Sequence, residues 1–205
     1  MNKQLLILLM ILSSCTATRF DTYPGSRLDA FPQEVQGEYA VSTASFPFNL
    51  FRKKDTAQFI VKADGIYPVG EAMDGPQLLS DSLVLSRLGR YYLLSQRVEA
   101  NPPQWTVDIW LPERNQIQAW YFDNAKPYAK EMMQTLQWKA IYKSPEDGSW
   151  KTLQLSKETA QHLMYINHPD SIIVFSPNDS ILTELADRYI SREKSYTVKR
   201  VNKRK

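Results

Sequence analysis

The chain has 205 residues, 43% hydrophobic and 12% aromatic, with 7 glycines and a single cysteine. That composition suits one packed domain, or at most two small ones, and excludes a collagen-like, disordered or disulfide-stapled chain. The net charge of +3 is unevenly spread: from Arg192 to Lys205 seven basic residues face one acid, and with Lys3 set aside the rest holds 17 basic and 21 acidic residues, so the basic balance belongs to one end and is no argument for nucleic acid.

At the N-terminus, Lys3 precedes an unbroken apolar run from Leu5 to Leu12. A bilayer-spanning helix needs about 20 such residues, so the run is too short to cross. A charged start, a short apolar core and small residues make an export signal. Leu12-Ser13-Ser14-Cys15 resembles the lipobox of bacterial lipoproteins: an aliphatic residue, two small ones, then cysteine. The resemblance implies a diacylglyceryl group on the Cys15 sulfur, cleavage before Cys15, removal of residues 1–14, and acylation of the new amine. Each buried methylene contributes roughly 0.8 kcal/mol, and two or more chains anchor stably where one does not. A plain secretory signal or a retained N-terminal anchor is the alternative. Thr16 stands where some lipoproteins carry the Asp that retains them in the inner membrane, which favours the outer membrane.

Residues 15–30 read as the lipidated cysteine and a polar tether, with Pro24-Gly25 inside it. A single globular domain follows over 31–191. Period-two alternation predicts half-buried strands at Gln58–Ala63, Leu83–Ser86, Tyr91–Val98, Trp105–Leu111 and Gln116–Phe122. Asp64-Gly65, Leu88-Gly89-Arg90 and Pro112-Glu113-Arg114-Asn115 read as the turns between them. Short connections favour antiparallel neighbours, so this block reads as a meander.

From Ala125, the spacing of Tyr128, Ala129, Met132, Met133 and Leu136 predicts a helix, with Pro127 in the first turn. Trp138–Tyr142 and Trp150–Leu155 read as paired strands about a turn at Pro145–Gly148. Ser156 caps a helix to about Asn167. Ile172–Phe175 is a short apolar strand. Ser176, Pro177 and Asp179 resemble a capping box opening a helix striped by Ile181, Leu182, Leu185, Ala186 and Tyr189. Ser195–Val198 can add a last strand, and 192–205 is a basic C-terminal tail. The architecture expected is α+β: an antiparallel meander sheet with about three helices toward the C-terminal half. Phe31-Pro32-Gln33-Glu34-Val35-Gln36-Gly37-Glu38-Tyr39 faintly resembles the opening of lipocalin-like domains, where a glycine and an aromatic two residues on start the first barrel strand; that resemblance implies a closed barrel.

Chemistry-bearing groups are sparse. His162 and His168 are six apart, which does not place them on one helical face, and they read as boundary residues. No Gly-x-Ser-x-Gly turn, phosphate-cradling glycine loop or HExxH motif is present, and no metal or cofactor site is expected. Glu113 and Asp108 are a candidate carboxylate pair. Asp64, Asp74 and Asp147 precede glycine and read as turn residues. Trp105, Trp110, Trp120 and Phe122 are candidates for a ligand-lining or partner-facing aromatic surface. Lys199, Arg200, Lys203, Arg204 and Lys205 are candidates for contact with an anionic surface.

The sequence thus predicts a membrane-anchored envelope lipoprotein with a non-enzymatic binding or scaffolding domain, meeting an envelope protein, a glycan or anionic headgroups and no nucleic acid. A carrier or sensor enclosing a small apolar ligand is the second reading, and an envelope enzyme the third.

Overall fold

The computed structural model describes residues 18–42, 56–69, 75–98, 103–121, 127–160, 171–188 and 196–201. Their strands are β1 (Arg19–Phe20), β2 (Ser26–Leu28), β3 (Gly37–Ser42), β4 (Thr56–Lys62), β5 (Gly65–Val69), β6 (Gln77–Leu78), β7 (Leu83–Leu88), β8 (Tyr91–Val98), β9 (Gln104–Glu113), β10 (Gln116–Tyr121), β11 (Gln137–Lys143), β12 (Trp150–Leu153), β13 (Ser171–Ser176) and β14 (Tyr196–Arg200). The helical segments are α1 (Pro127–Thr135), a turn at 157–160, and α2 (Asp179–Arg188). The fold is mostly β with helices on one side, as the α+β pattern predicts.

The predicted meander is present. Strands β7, β8, β9 and β10 are antiparallel neighbours in chain order. Two-residue turns close the β7–β8 and β9–β10 hairpins, pairing Leu88 with Tyr91 and Glu113 with Gln116. Gly89 has φ +58, the left-handed conformation such a turn favours. Strand β9 carries pairing through Pro112 and Glu113, which the sequence places in the turn; only Arg114-Asn115 form it.

The sheet extends well beyond the meander. Strand β14 inserts between β10 and β3, and β4, β5 and β6 follow antiparallel. On the other side β2 pairs with β7. The sheet is not closed into a barrel, but it curls. Near one end two backbone bonds tie both flanks to the β4–β5 turn: Phe31 N–H donates to Ala63 O (2.8 Å) and Leu79 N–H donates to Asp64 O (2.9 Å).

Each face of this sheet has its own core. The inner face gathers Phe31, Val35, Tyr39, Val61, Ile66, Leu85, Tyr92, Leu94, Trp110, Ile117, Ala119 and Val198. The outer face packs Val84, Leu88, Tyr91, Leu93, Trp105, Val107, Ile109 and Trp120 against α1 and α2. In α1 the buried residues Ala129, Met132, Met133 and Leu136 recur at helical spacing. In α2 they are Leu182, Leu185 and Ala186.

Three sequence expectations change. Residues expected as tether are part of the sheet. Phe20 is wholly buried, between a parallel partner, β13, and an antiparallel one, β9; such a side chain contributes about 2–3 kcal/mol. Ser176 Oγ donates to Asp21 Oδ2 (2.6 Å), Ser86 Oγ to Pro24 O (2.5 Å) and Gly25 N–H to Asp179 Oδ1 (2.9 Å). The strand expected at Ser195–Val198 is present and runs on to Arg200 as β14, so part of the basic tail lies within the sheet, between β10 and β3. Finally, α2 is capped by Asn178, whose Oδ1 accepts from Ile181 N–H (3.2 Å), while Ser176 ends β13. Ser156 keeps its predicted place, accepting from Thr159 N–H at 3.2 Å.

Gly37 does start β3, and Tyr39 follows it inward. The glycine is required: φ is +153, and a Cβ would lie 3.1 Å from Arg200 Nε.

Candidate functional site

Strand β9 sets out the most informative row of side chains. Residues of one parity, Trp105, Val107 and Ile109, belong to the outer core, whereas Trp110 belongs to the inner one. Period two therefore puts Gln104, Thr106 and Asp108 on the inner face with Trp110. Across the ladder, Leu94 of β8 is the partner of Asp108, and Tyr92 that of Trp110.

The edge of β9 away from β8 changes partner within this row. Residues from Asp108 to Glu113 pair with β10, ending at the Tyr121–Asp108 rung. Trp105 pairs with Phe20 of β1. Thr106 and Val107 lie between the two, so Asp108 sits where the edge passes from one neighbour to another.

Asp108 itself is paired on both sides, with Tyr121 and with Leu94. Part of its surface is accessible, yet burial alone raises its carboxyl from 3.8 to about 6. The carboxyl is thus packed within the protein and still partly accessible. Among the described residues, no hydrogen bond or ion pair reaches it. Gln104, 2% exposed, also has an unpartnered Nε2. Unmet polar groups of this kind cost about 1–3 kcal/mol each, so two on one row mark a place the fold does not satisfy by itself.

The opposite end of the inner core is well satisfied. Tyr92 Oη donates to Glu34 Oε1 at 2.5 Å, which holds the Glu34 carboxyl below its ordinary range and, with burial, raises the tyrosine. Arg200 Nη2 donates to Glu34 O and Gln36 O at 2.9 Å, and to Tyr39 Oη at 3.0 Å. Phe31 packs on Trp110 with ring centres 6.0 Å apart. The 31–36 segment thus covers this end.

The expected aromatic surface is divided between the cores. Trp105 and Trp120 (8% and 7% exposed) lie in the outer core and Trp110 (8%) in the inner one, so these three offer no platform at the surface. Trp105 meets Tyr23 edge-on, ring centres 5.2 Å apart. Phe122 lies outside the described residues, as do Cys15, Asp74, His162, His168, Lys203, Arg204 and Lys205. Of the basic candidates within them, Lys199 is exposed, whereas Arg200 is half-buried, with Nη2 engaged in the bonds above and Nε without a partner among the described residues.

No protein-family model, curated protein or solved structure matches the chain.

Glu113 and Asp108 do not form a pair: they are five residues apart on β9 and fall on opposite faces, and Glu113 instead accepts from Gln116 Nε2. Asp147 serves its turn, accepting from the Ser149 N–H (3.1 Å) and hydroxyl (2.7 Å), bonds that hold its carboxyl at about 2. Asp64 accepts from Tyr67 Oη at 2.7 Å. Among the described residues, no cluster of three potential metal ligands occurs. No helix there is long and apolar enough to cross a membrane, which does not bear on spanning strands. Sequence reasoning missed Asp108 as an isolated acid, though the alternation that set Trp110 apart from Trp105 also places Asp108 beside Trp110.

Proposed function

We propose that the chain is an exported lipoprotein, processed at Cys15 and held on the envelope membrane by lipid, whose domain acts there as a non-enzymatic binding module. The observation that carries this reading is Leu12-Ser13-Ser14-Cys15, with the chain's sole cysteine at the modified position after a short apolar run. Thr16 at the next position supports the outer membrane over the inner.

The point at which the chain enters the sheet makes this anchor a short one. Arg19 is already in β1, so Thr16, Ala17 and Thr18 separate Cys15 from the fold. Three extended residues reach roughly 10 Å. On this reading the lipid holds the domain against the bilayer surface and does not let it range through the periplasm.

For the domain, a carrier or sensor of a small ligand is favoured over a scaffold that docks through exposed aromatics. Among the described residues Leu78 is the one large hydrophobic side chain that is exposed, so they present no broad apolar patch for a partner protein. The curled sheet, covered at one end by 31–36, supports binding on its inner side, where Gln104 Nε2 and Asp108 stand without partners among the described residues. Mass spectrometry of the mature N-terminus tests the anchor. Ligand titration of the full chain, followed by the fluorescence of inner-core Trp110 in wild type and Trp110→Phe, tests the domain.

A further inference from the structure

We infer that residues 18–25 form a releasable strap, which gives the anchor two lengths: a short one with β1 docked between β13 and β9, and a long one with the strap peeled away as far as β2. This rests on the proposed attachment at Cys15 and adds how that attachment is coupled to the fold.

The position of β1 makes it the first element that a pull on the anchor meets, since three residues join Cys15 to Arg19. The strand is two residues long, parallel to β13 at Arg19 and Phe20 and antiparallel to β9 at Phe20. Its neighbours have pairing of their own. Strand β13 is joined to β11 from Ser171 to Ser176, and β9 to β8 from Gln104 to Trp110. Each side therefore remains a sheet when β1 leaves.

The rest of the strap is held at separate points. Asp21 accepts from Ser176 Oγ at 2.6 Å, lies 3.9 Å from Lys139 Nζ, and donates its N–H to Phe175 O at 2.9 Å. Pro24 O accepts from Ser86 Oγ, and Gly25 N–H donates to Asp179 Oδ1. Phe20 in the outer core and Tyr23 against Trp105 supply the apolar hold. Asp21 and Lys139 are half-buried and Asp179 is exposed, so water takes over their bonds as the strap leaves. The backbone freedom regained by 19–25 offsets part of the lost burial, and an element near a chain end opens at lower free energy than the core sheet.

The peeling has a defined end. Gly25, at φ +82, turns the chain into β2, where Ser26–Leu28 pair with β7 and Arg27 meets Asp81 at 3.2 Å. Leu28 packs on the inner core, and Phe31 beyond it is buried. With the strap released, the ten residues 16–25 separate Cys15 from the fold in place of three. Extended, they reach roughly 35 Å where the docked tether reaches roughly 10 Å. Apart from Phe20 and Tyr23, release exposes no large apolar residue of this segment.

The test is hydrogen exchange of the full-length lipidated chain in phospholipid vesicles, read by mass spectrometry on peptides covering 19–25 and 91–98. Wild type, Asp21→Ala and Ser176→Ala are compared, and circular dichroism confirms that each is folded. In wild type, protection of 19–25 is expected to be about tenfold or more below that of 91–98. Both variants lower the protection of 19–25 further, by about threefold or more, and leave 91–98 unchanged, because the strap opens without the sheet. Equal protection of the two segments in wild type, or variants that weaken both alike, overturns the strap and leaves the anchor intact. The anchor is read separately, from the mass of the N-terminus in the same sample. A chain without lipid there overturns the anchor, and the two tether lengths with it.

Discussion

The guanidinium of Arg200 lies 5.5 Å from the centre of the Tyr39 ring and donates from Nη2 to the Tyr39 hydroxyl at 3.0 Å. The same nitrogen lies 2.9 Å from the carbonyls of Glu34 and Gln36, so its two hydrogens are shared among three acceptors. One residue of the last strand therefore fixes the first turn of the sheet, the start of β3 and the cover over the inner core.

Arg200→Ala is accordingly expected to destabilise the protein by about 1–3 kcal/mol, since it removes a charged donor from partly buried acceptors and a cation from an aromatic face. Arg200→Lys keeps a cation whose single nitrogen carries three hydrogens, and since all three bonds leave Nη2 it is expected to recover part of the loss. Chemical denaturation measures both. The bonds go to carbonyls and a hydroxyl rather than to acids, so the loss is nearly the same at low and high salt. Stopping the chain before Tyr196 removes β14 and its two neighbours' pairing, and is expected to abolish folding.

At the N-terminal end, Phe20→Ala is expected to cost about 3–5 kcal/mol, the usual cost of emptying an aromatic site in a packed core. A substitution in a tether costs nothing measurable. Thermal unfolding of the variant decides between the two.

Asp108 makes stability depend on pH in a direction opposite to that of most carboxylates. Its folded value, about 6, exceeds the unfolded value of 3.8, so between these the native state binds more protons. Stability from this group is full below about pH 4 and is lost as pH rises through 6. At neutral pH the ligand-free protein carries a penalty of about 3 kcal/mol at most, from a shift of roughly two units. Asp108→Asn removes the titration. The difference in melting temperature between variant and wild type is therefore expected to grow from pH 4 to pH 7 in favour of the variant. A difference independent of pH would contradict the burial of Asp108.

Trp120 Nε1 is buried and finds no acceptor among the described residues. Trp120→Phe relieves that unmet donor while leaving a small void, two effects of similar size and opposite sign. The expected net change is within about 1 kcal/mol, whereas Trp120→Ala, which empties the site, costs about 3–5 kcal/mol.

The elements that were legible in the sequence are those made by local pattern. Alternation marked β7 to β10, the 129–132–133–136 spacing marked α1, and Gly37 with Tyr39 marked the start of β3. What was hidden depends on distant partners. Arg19-Phe20 is two residues long and has no period of its own; its place comes from pairing with Val174, Phe175 and Trp105. A last strand was legible at Ser195–Val198, but not its place between β10 and β3, and Arg200 reads as a tail residue until Tyr39 and the 34–36 carbonyls are set around it. The cap of α2 moved from Ser176 to Asn178 because β13 holds Ser176 in the sheet. The unequal roles of Trp105 and Trp110 were visible as parity, but whether either face stays open to solvent depends on α1 and α2, which the strand itself does not encode.

The central claim is that Cys15 fixes where this domain sits, and the measurement that tests it most directly is the mass of the N-terminal peptide from wild type and Cys15→Ala expressed in a bacterial envelope. The account predicts that wild type begins at Cys15 with a diacylglyceryl group on sulfur and partitions with membranes, whereas Cys15→Ala is unlipidated and leaves them. A wild-type peptide that retains Met1, or that begins at an unmodified Cys15, would contradict it.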